Sequence, residues 1–163
     1  VRLLIIRHAI AVPRGAPGIP DAERPLTPRG ERRFADAARG LARIAGRPDA
    51  LLTSPWLRAR RTAEIAAEAW GGPDPAVVPA LAGGSFEEVC AALARRRKQE
   101  MVALVGHEPY LSAFAARLLG SRAPESFVFR KGGAALVELP GAPEEGGRLV
   151  WWLPSRLLRR LRG

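Results

Sequence analysis

The segments Arg2-Leu3-Leu4-Ile5-Ile6-Arg7-His8 and Met101-Val102-Ala103-Leu104-Val105-Gly106-His107 decide how this chain reads. Each is a short apolar run, the pattern of a strand buried on both faces of a sheet, and each leads into a histidine. Amphipathic runs and further apolar stretches alternate between them. Pro28 to Ala45 predicts a helix, with Thr27 as N-cap and Pro28 at the first helical position. Ala50 to Thr53 predicts a second strand, and Pro55 to Trp70 a helix opened by Ser54. Val77 and Val78 suggest a third strand. Ser85-Phe86-Glu87-Glu88 is a capping box opening a helix that runs towards Arg97. Pro109 to Leu119 predicts a helix stopped by Gly120.

The rhythm then changes. Phe127–Arg130, Ala134–Leu139 and Arg148–Leu153 are strand-like, separated by Lys131-Gly132-Gly133 and by Gly141 to Gly147. These gaps are too short for crossover helices, so part of this region must pair antiparallel. A short basic helix, Ser155 to Arg162, closes the chain. The expected architecture is α/β, a three-layer sandwich with a mainly parallel central sheet and an antiparallel edge. At 163 residues the length suits a single domain, 1–163, that buries roughly 70% of the surface its unfolded chain would expose.

Composition narrows the function classes. Hydrophobic residues are 47% and charged residues 26%, which excludes whole-chain disorder. No stretch reaches the roughly 20 apolar residues of a membrane span. The first apolar run is too short for a signal-peptide core, so the expectation is a soluble cytoplasmic protein. The single cysteine, Cys90, excludes a disulfide framework or a cysteine-cluster metal site, and reads as a small buried hydrophobe. The net charge is +10, from 26 basic and 16 acidic residues. It favours acidic partners, although joint enrichment in Arg, Ala, Pro and Gly is equally a compositional bias.

The chain has only two histidines, and both fall at carboxyl ends of expected parallel strands. That is the edge on which α/β sheets build ligand sites, so neighbouring strands would turn both imidazoles into one crevice. Arg7 precedes His8, and Gly106 allows close backbone approach before His107. Arg58 lies near the start of the helix after Ala50–Thr53, where free N–H groups and the helix dipole favour an anion. Arg7 and Arg58 would grip a phosphate bidentately. Arg60 and Arg61 read as a solvated helix face.

Four motifs in this order carry a family resemblance: Arg7-His8-Ala9; Leu26-Thr27-Pro28-Arg29-Gly30; Ser54-Pro55-Trp56-Leu57-Arg58-Ala59 with Thr62-Ala63-Glu64; and Val105-Gly106-His107-Glu108-Pro109. The chain resembles the histidine phosphatase superfamily, with its phosphoglycerate-mutase-like fold. Its shortness and the run Arg24-Pro25-Leu26-Thr27 are most similar to the SixA-like protein phosphohistidine phosphatases. The motifs span residues 1 to 120; the rest agrees only in size and pattern. The resemblance implies that His8 is the nucleophile, attacking phosphorus to give a phosphohistidine intermediate. It implies that Arg7 and Arg58 bind the phosphoryl oxygens, that His107 completes the pocket, and that no metal or cofactor is needed. Phosphoryl transfer requires little beyond an in-line nucleophile and positive donors. His8 must then present an unprotonated nitrogen while its other nitrogen donates to a fixed acceptor, expected to be a backbone carbonyl. His107 serves best as a protonated donor, a state that neighbouring arginines oppose and a bound dianion restores.

Two departures qualify the resemblance. Ala9 stands where the superfamily often has glycine. The stretch Pro79-Ala80-Leu81-Ala82-Gly83-Gly84 carries no acid where mutases and small-molecule phosphatases place a catalytic glutamate. Glu88 is explained by capping, Glu87 by the same first turn, and Glu108 is expected to be exposed. Asp21 and Glu23 lie in the long Ala11–Pro25 loop, within reach of the site. Expelling an alkoxide needs a proton donor. Imidazole, with a conjugate-acid pKa of about 6.5, leaves with little help. An acid-free site therefore favours a phosphorylated protein, such as a histidine phosphotransfer domain, over a small phosphorylated substrate. A small-molecule phosphomonoester phosphatase is the first rival. A non-catalytic basic binding module is the second, through Arg95-Arg96-Arg97-Lys98 and Arg156, Arg159, Arg160 and Arg162. Neither nucleic acid nor membrane is the expected partner, since aromatics are sparse and do not interleave the basic residues.

Overall fold

In a computed structural model describing residues 1–163, six strands form one sheet. They are β1 (Arg2–Arg7), β2 (Ala50–Thr53), β3 (Pro75–Val77), β4 (Met101–Gly106), β5 (Ala134–Glu138) and β6 (Arg148–Leu153), in the order β3-β2-β4-β1-β5-β6. β1, β2, β3 and β4 pair in parallel; β5 runs antiparallel to both β1 and β6. The mainly parallel sheet with an antiparallel edge is thus the architecture observed.

Helices α1 (Pro28–Ala45), α2 (Leu57–Trp70), α3 (Phe86–Ala94), α4 (Tyr110–Leu118) and α5 (Ser155–Arg160) cover both faces. Strand alternation divides the core in two. Leu4, Ile6, Leu51, Ala103 and Val105 pack with α1, α2 and Leu158 of α5. Leu3, Ile5, Leu52, Val102 and Leu104 pack with α3 and α4. No helix is long and apolar enough to cross a membrane. Cys90 is fully buried, and burial pushes its thiol up to about 11.

Local chemistry explains the helix starts. Thr27 accepts from the Gly30 N–H at 2.9 Å with Pro28 behind it, and Ser85 and Glu88 form the reciprocal capping box. Other boundaries differ from expectation. α2 begins at Leu57 rather than Pro55, α4 at Tyr110 rather than Pro109, α3 ends at Ala94 before its arginine run, and α5 ends at Arg160.

The expected strand over Phe127–Arg130 is absent. Side chains capture the backbone groups it would have paired: Ser112 Oγ donates to the Phe127 carbonyl, Glu108 accepts from the Phe129 N–H, and Arg7 donates to the Phe129 carbonyl. Alternation of exposed Val128 with buried Phe129 gives the segment a strand's pattern without a strand's ladder.

Candidate active site

The register of β1 against β4 builds the site. Arg7 pairs with Gly106, and the His8 N–H donates to the Gly106 carbonyl at 3.0 Å, so His8 and His107 leave the sheet side by side. Their ring centroids are 5.2 Å apart. Both side chains are buried, 4% and 1% exposed, at the carboxyl edge of the parallel strands.

His8 is fixed at one nitrogen. Its Nδ1 lies 2.7 Å from the Ala9 carbonyl oxygen, an acceptor only, so Nδ1 carries the proton and Nε2 the lone pair. Arg58 Nε donates to that Nε2 at 3.2 Å. Burial first, then the charges of His107, Arg58 and Arg7, push His8 down to about 2 despite the Ala9 bond. His8 is therefore neutral at any ordinary pH. Ala9, where glycine is frequent in the resembling family, is itself 2% exposed.

Thr62 holds the Ala9 peptide in turn. Its hydroxyl accepts from the Ala9 N–H at 3.0 Å and donates to the Arg58 carbonyl at 2.6 Å. One buried hydroxyl thus links the histidine segment to the helix that carries Arg58.

Arg58 is the second residue of α2 and only 2% exposed. Its Nη1 donates to the Asp21 carbonyl at 2.6 Å, its Nη2 lies 3.5 Å from Asp21 Oδ2, and its guanidinium carbon sits 4.6 Å from the Trp56 ring centroid. Arg7 donates from Nη1 to the Phe129 carbonyl at 2.7 Å and leaves a buried Nε without partner. An orphaned buried donor at this edge is an anchor waiting for an acceptor.

His107 packs on Trp56, 4.6 Å between centroids, and its Nε2 lies 2.6 Å from Ser54 Oγ. Its Nδ1 is buried and unpartnered. Burial, then the charges of Arg58, Arg24 and Arg7, push it down to about 3, against the opposing pull of Asp21. Without an anion it is neutral. Ser54 does not cap α2 in the expected way; it accepts from Trp56 N–H at 3.3 Å and meets His107. No three His, Cys, Asp or Glu side chains converge to hold a metal.

Among the candidate acids the charge of Glu108 acts on Arg7, and Asp21 alone contacts Arg58. Asp21 also takes Arg24 Nε at 2.7 Å and Arg14 Nε at 3.2 Å. Burial works the other way, but the Arg24 hydrogen bond and the charges of Arg58, Arg24 and Arg14 hold its carboxyl below the usual range. Arg24, buried, also donates to the Val12 carbonyl at 2.7 Å, and Ala11 bridges Leu26, closing the base of the long loop. Glu87 pairs with Arg117, Glu88 caps α3, and Glu23 is exposed. Glu108 is not exposed as expected: it is half-buried and accepts from Phe129 N–H and from Ser112 N–H and Oγ–H. Arg61 pairs with Glu31, Glu64 and Glu68, while Arg60 is exposed.

Comparison with known proteins decides the lineage. The profile of the histidine phosphatase superfamily (branch 1) matches residues 3–89. This chain belongs to the histidine phosphatase superfamily. A Picosynechococcus protein of uncharacterized function is 38% identical over 136 residues, 82% of each chain. The superfamily's SixA-like branch supplies strong structural likenesses. A protein histidine phosphatase SixA complexed with tungstate superposes with a TM-score of 0.84 at 26% identity, covering 97% of this chain and 99% of that one. The structure assigned to phosphohistidine phosphatase SixA from Agrobacterium tumefaciens gives 0.79 at 26% identity, covering 93% and 96%. An α-ribazole phosphatase from Shigella flexneri shares the fold, with a TM-score of 0.77 at 18% identity over 95% and 97%. The fold is phosphoglycerate-mutase-like, and membership of this superfamily makes the chain a phosphatase.

Proposed function

We propose that residues 1–163 form one catalytic domain that removes the phosphoryl group from phosphohistidine on a cytoplasmic signalling phosphotransfer protein. In this reading His8 and His107 are catalytic, and Arg7 and Arg58 bind the phosphate. His8 Nε2 attacks phosphorus in line as the substrate's P–N bond breaks; the substrate ring, already protonated from solvent at its other nitrogen, leaves as neutral imidazole. The His8 ring then carries positive charge, which the Ala9 carbonyl stabilises through Nδ1–H. Arg58 leaves Nε2 for the equatorial oxygens, and Arg7 Nε supplies a second donor. The incoming dianion reverses the field that keeps His107 neutral, so a protonated His107 donates to the same group. Water then attacks the phosphohistidine enzyme, releasing inorganic phosphate and neutral His8.

The observation that carries the substrate reading is the state of the carboxylates. The single carboxylate near Arg58, Asp21, is kept ionised by three arginines and makes a poor proton donor. Such a site suits an imidazole leaving group better than an alkoxide. The likeness to a protein histidine phosphatase SixA supports the same choice. The test is turnover of a histidine-phosphorylated phosphotransfer protein beside a panel of small phosphomonoesters, with wild type and His8→Ala. Preferential turnover of the protein, lost in the variant, supports the reading. Preference for a small ester overturns the substrate assignment, and unchanged activity in the variant overturns the site.

A further inference from the structure

A second cavity, about 490 Å³, opens beside His8. Ala9 lines it, together with Arg33 of α1, Arg130, Lys131, and Arg156 and Arg159 of α5; no carboxylate does. It adjoins the site through the turn that follows Lys131, because the Gly132 N–H donates to the carbonyls of both Arg7 and His8 at 3.1 Å. Lys131 registers this closeness. Burial, then the charges of Arg7, Arg24 and Arg58, hold its ammonium below the usual range.

The five cations are uncompensated. Eight of the chain's 26 basic residues pair with carboxylates, and none of these five is among them. The nearby acid Asp36 is already taken by Arg39 and Arg162. Arg159 Nε is buried without a partner, and the Arg29 and Arg159 charges push Arg33 down. Like charges gathered without counter-charge weaken a fold, so their collection at one opening points outward, to an anionic partner.

The packing fixes this arrangement. Leu158 is fully buried against α1, and Gly40 lets the Leu158 carbonyl approach α1 where a Cβ would clash, so α5 packs closely on α1. The cations come from three separate segments, and Arg130, Lys131 and Arg156 are exposed at the rim. A small polyanion calls for converging donors in a pocket. A ring of exposed cations matches instead the carboxylates on a folded protein surface.

We propose that this cavity docks an acidic flank of the phosphoprotein substrate, its aspartates and glutamates seated among Arg33, Arg130, Lys131 and Arg156 while the phosphohistidine reaches His8. The proposal rests on the protein-substrate reading above. Docking of this kind acts on encounter and KM, not on the chemical step.

The test uses the triple variant Arg33→Gln/Arg130→Gln/Arg156→Gln, which spares the catalytic groups and the partly buried Arg159. Turnover is measured on a histidine-phosphorylated phosphotransfer protein and on phosphoramidate, a small P–N substrate with no flank, at low and high salt. The expected result is a fall of about tenfold in kcat/KM for the protein, carried by KM, with unchanged phosphoramidate turnover. Salt dependence and inhibition by poly-glutamate should both be lost in the variant. An unchanged protein kcat/KM overturns the docking site, and an equal fall on phosphoramidate shows that the cations serve the reacting centre instead. Inhibition of the wild type by a short DNA duplex at concentrations where poly-glutamate has no effect would reassign the surface to nucleic acid. Wild-type enzyme that ignores the phosphoprotein but turns over phosphoramidate would instead sink the protein-substrate reading, and the docking site with it.

Discussion

Replacing Thr62 by valine keeps the side chain's shape and removes only the hydroxyl. That hydroxyl is fully buried and makes two hydrogen bonds, one from the Ala9 N–H and one to the Arg58 carbonyl. Its loss strands the N–H of Ala9, itself 2% exposed, where water cannot replace the partner. A net hydrogen bond is worth about 1 kcal/mol and an orphaned buried donor costs about 1–3 kcal/mol, so Thr62→Val should cost about 2–3 kcal/mol. For a chain of this size that lowers Tm by roughly 5–10 °C, short of unfolding at 25 °C. The functional effect is larger than stability alone implies, because the Ala9 carbonyl is the acceptor that fixes the His8 ring. A ring free to tilt loses in-line geometry, and kcat should fall about tenfold to hundredfold with little change in KM. The assays are thermal unfolding and steady-state turnover of Thr62→Val beside Thr62→Ser, which keeps the hydroxyl and drops one methyl. The serine variant should lose about 1 kcal/mol and retain most of its kcat. A valine variant as active and stable as wild type, with serine the worse of the two, would refute the reasoning and leave Thr62 a packing residue.

Three further outcomes follow from the same geometry. His8 and His107 have folded pKa values of about 2 and about 3, below the unfolded value of about 6.5, so the unfolded chain binds more protons throughout that interval. Stability should therefore decline as pH falls below about 6.5, by about 1.4 kcal/mol per histidine at pH 5.5, and be complete above pH 7.5; urea titrations that coincide at the two pH values would contradict this. Glu108→Ala frees the Phe129 N–H and loosens the carbonyl that steadies Arg7, so KM should rise about fivefold with kcat nearly constant. A collapse of kcat at constant KM would instead make Glu108 a participant in the chemistry. Asp21→Asn weakens the internal competitor for Arg58, so tungstate should inhibit about fivefold more tightly, and weaker inhibition would show that Asp21 assists anion binding.

The parts of this site carried by local sequence pattern were legible without coordinates. Apolar runs ending in His8 and His107 gave β1 and β4, and their pairing brought the two imidazoles together. The acceptor on His8 proved to be a backbone carbonyl as its chemistry required. What stayed hidden depends on contacts between distant segments. Ser54 looks like a helix cap, yet it meets His107, 53 positions away. Thr62 sits inside a recognised motif, but its bond to Ala9 emerges only when α2 meets the segment that follows β1. Asp21 and Arg24 lie in a Pro- and Gly-rich loop with no periodicity to orient them. Phe127–Arg130 misleads for a related reason: its alternation is real, but neighbouring side chains, not a strand, take up its backbone groups.

Every role assigned at this site depends on His8 Nε2 receiving the phosphoryl group. That transfer is tested most directly by mixing enzyme with a 32P-labelled histidine-phosphorylated protein, quenching in base on the millisecond scale, and mapping the label. Label is expected on His8, attached at Nε2, present in wild type and absent from His8→Ala. Turnover without any labelled enzyme, or label on His107 or at Nδ1 of His8, would contradict this assignment.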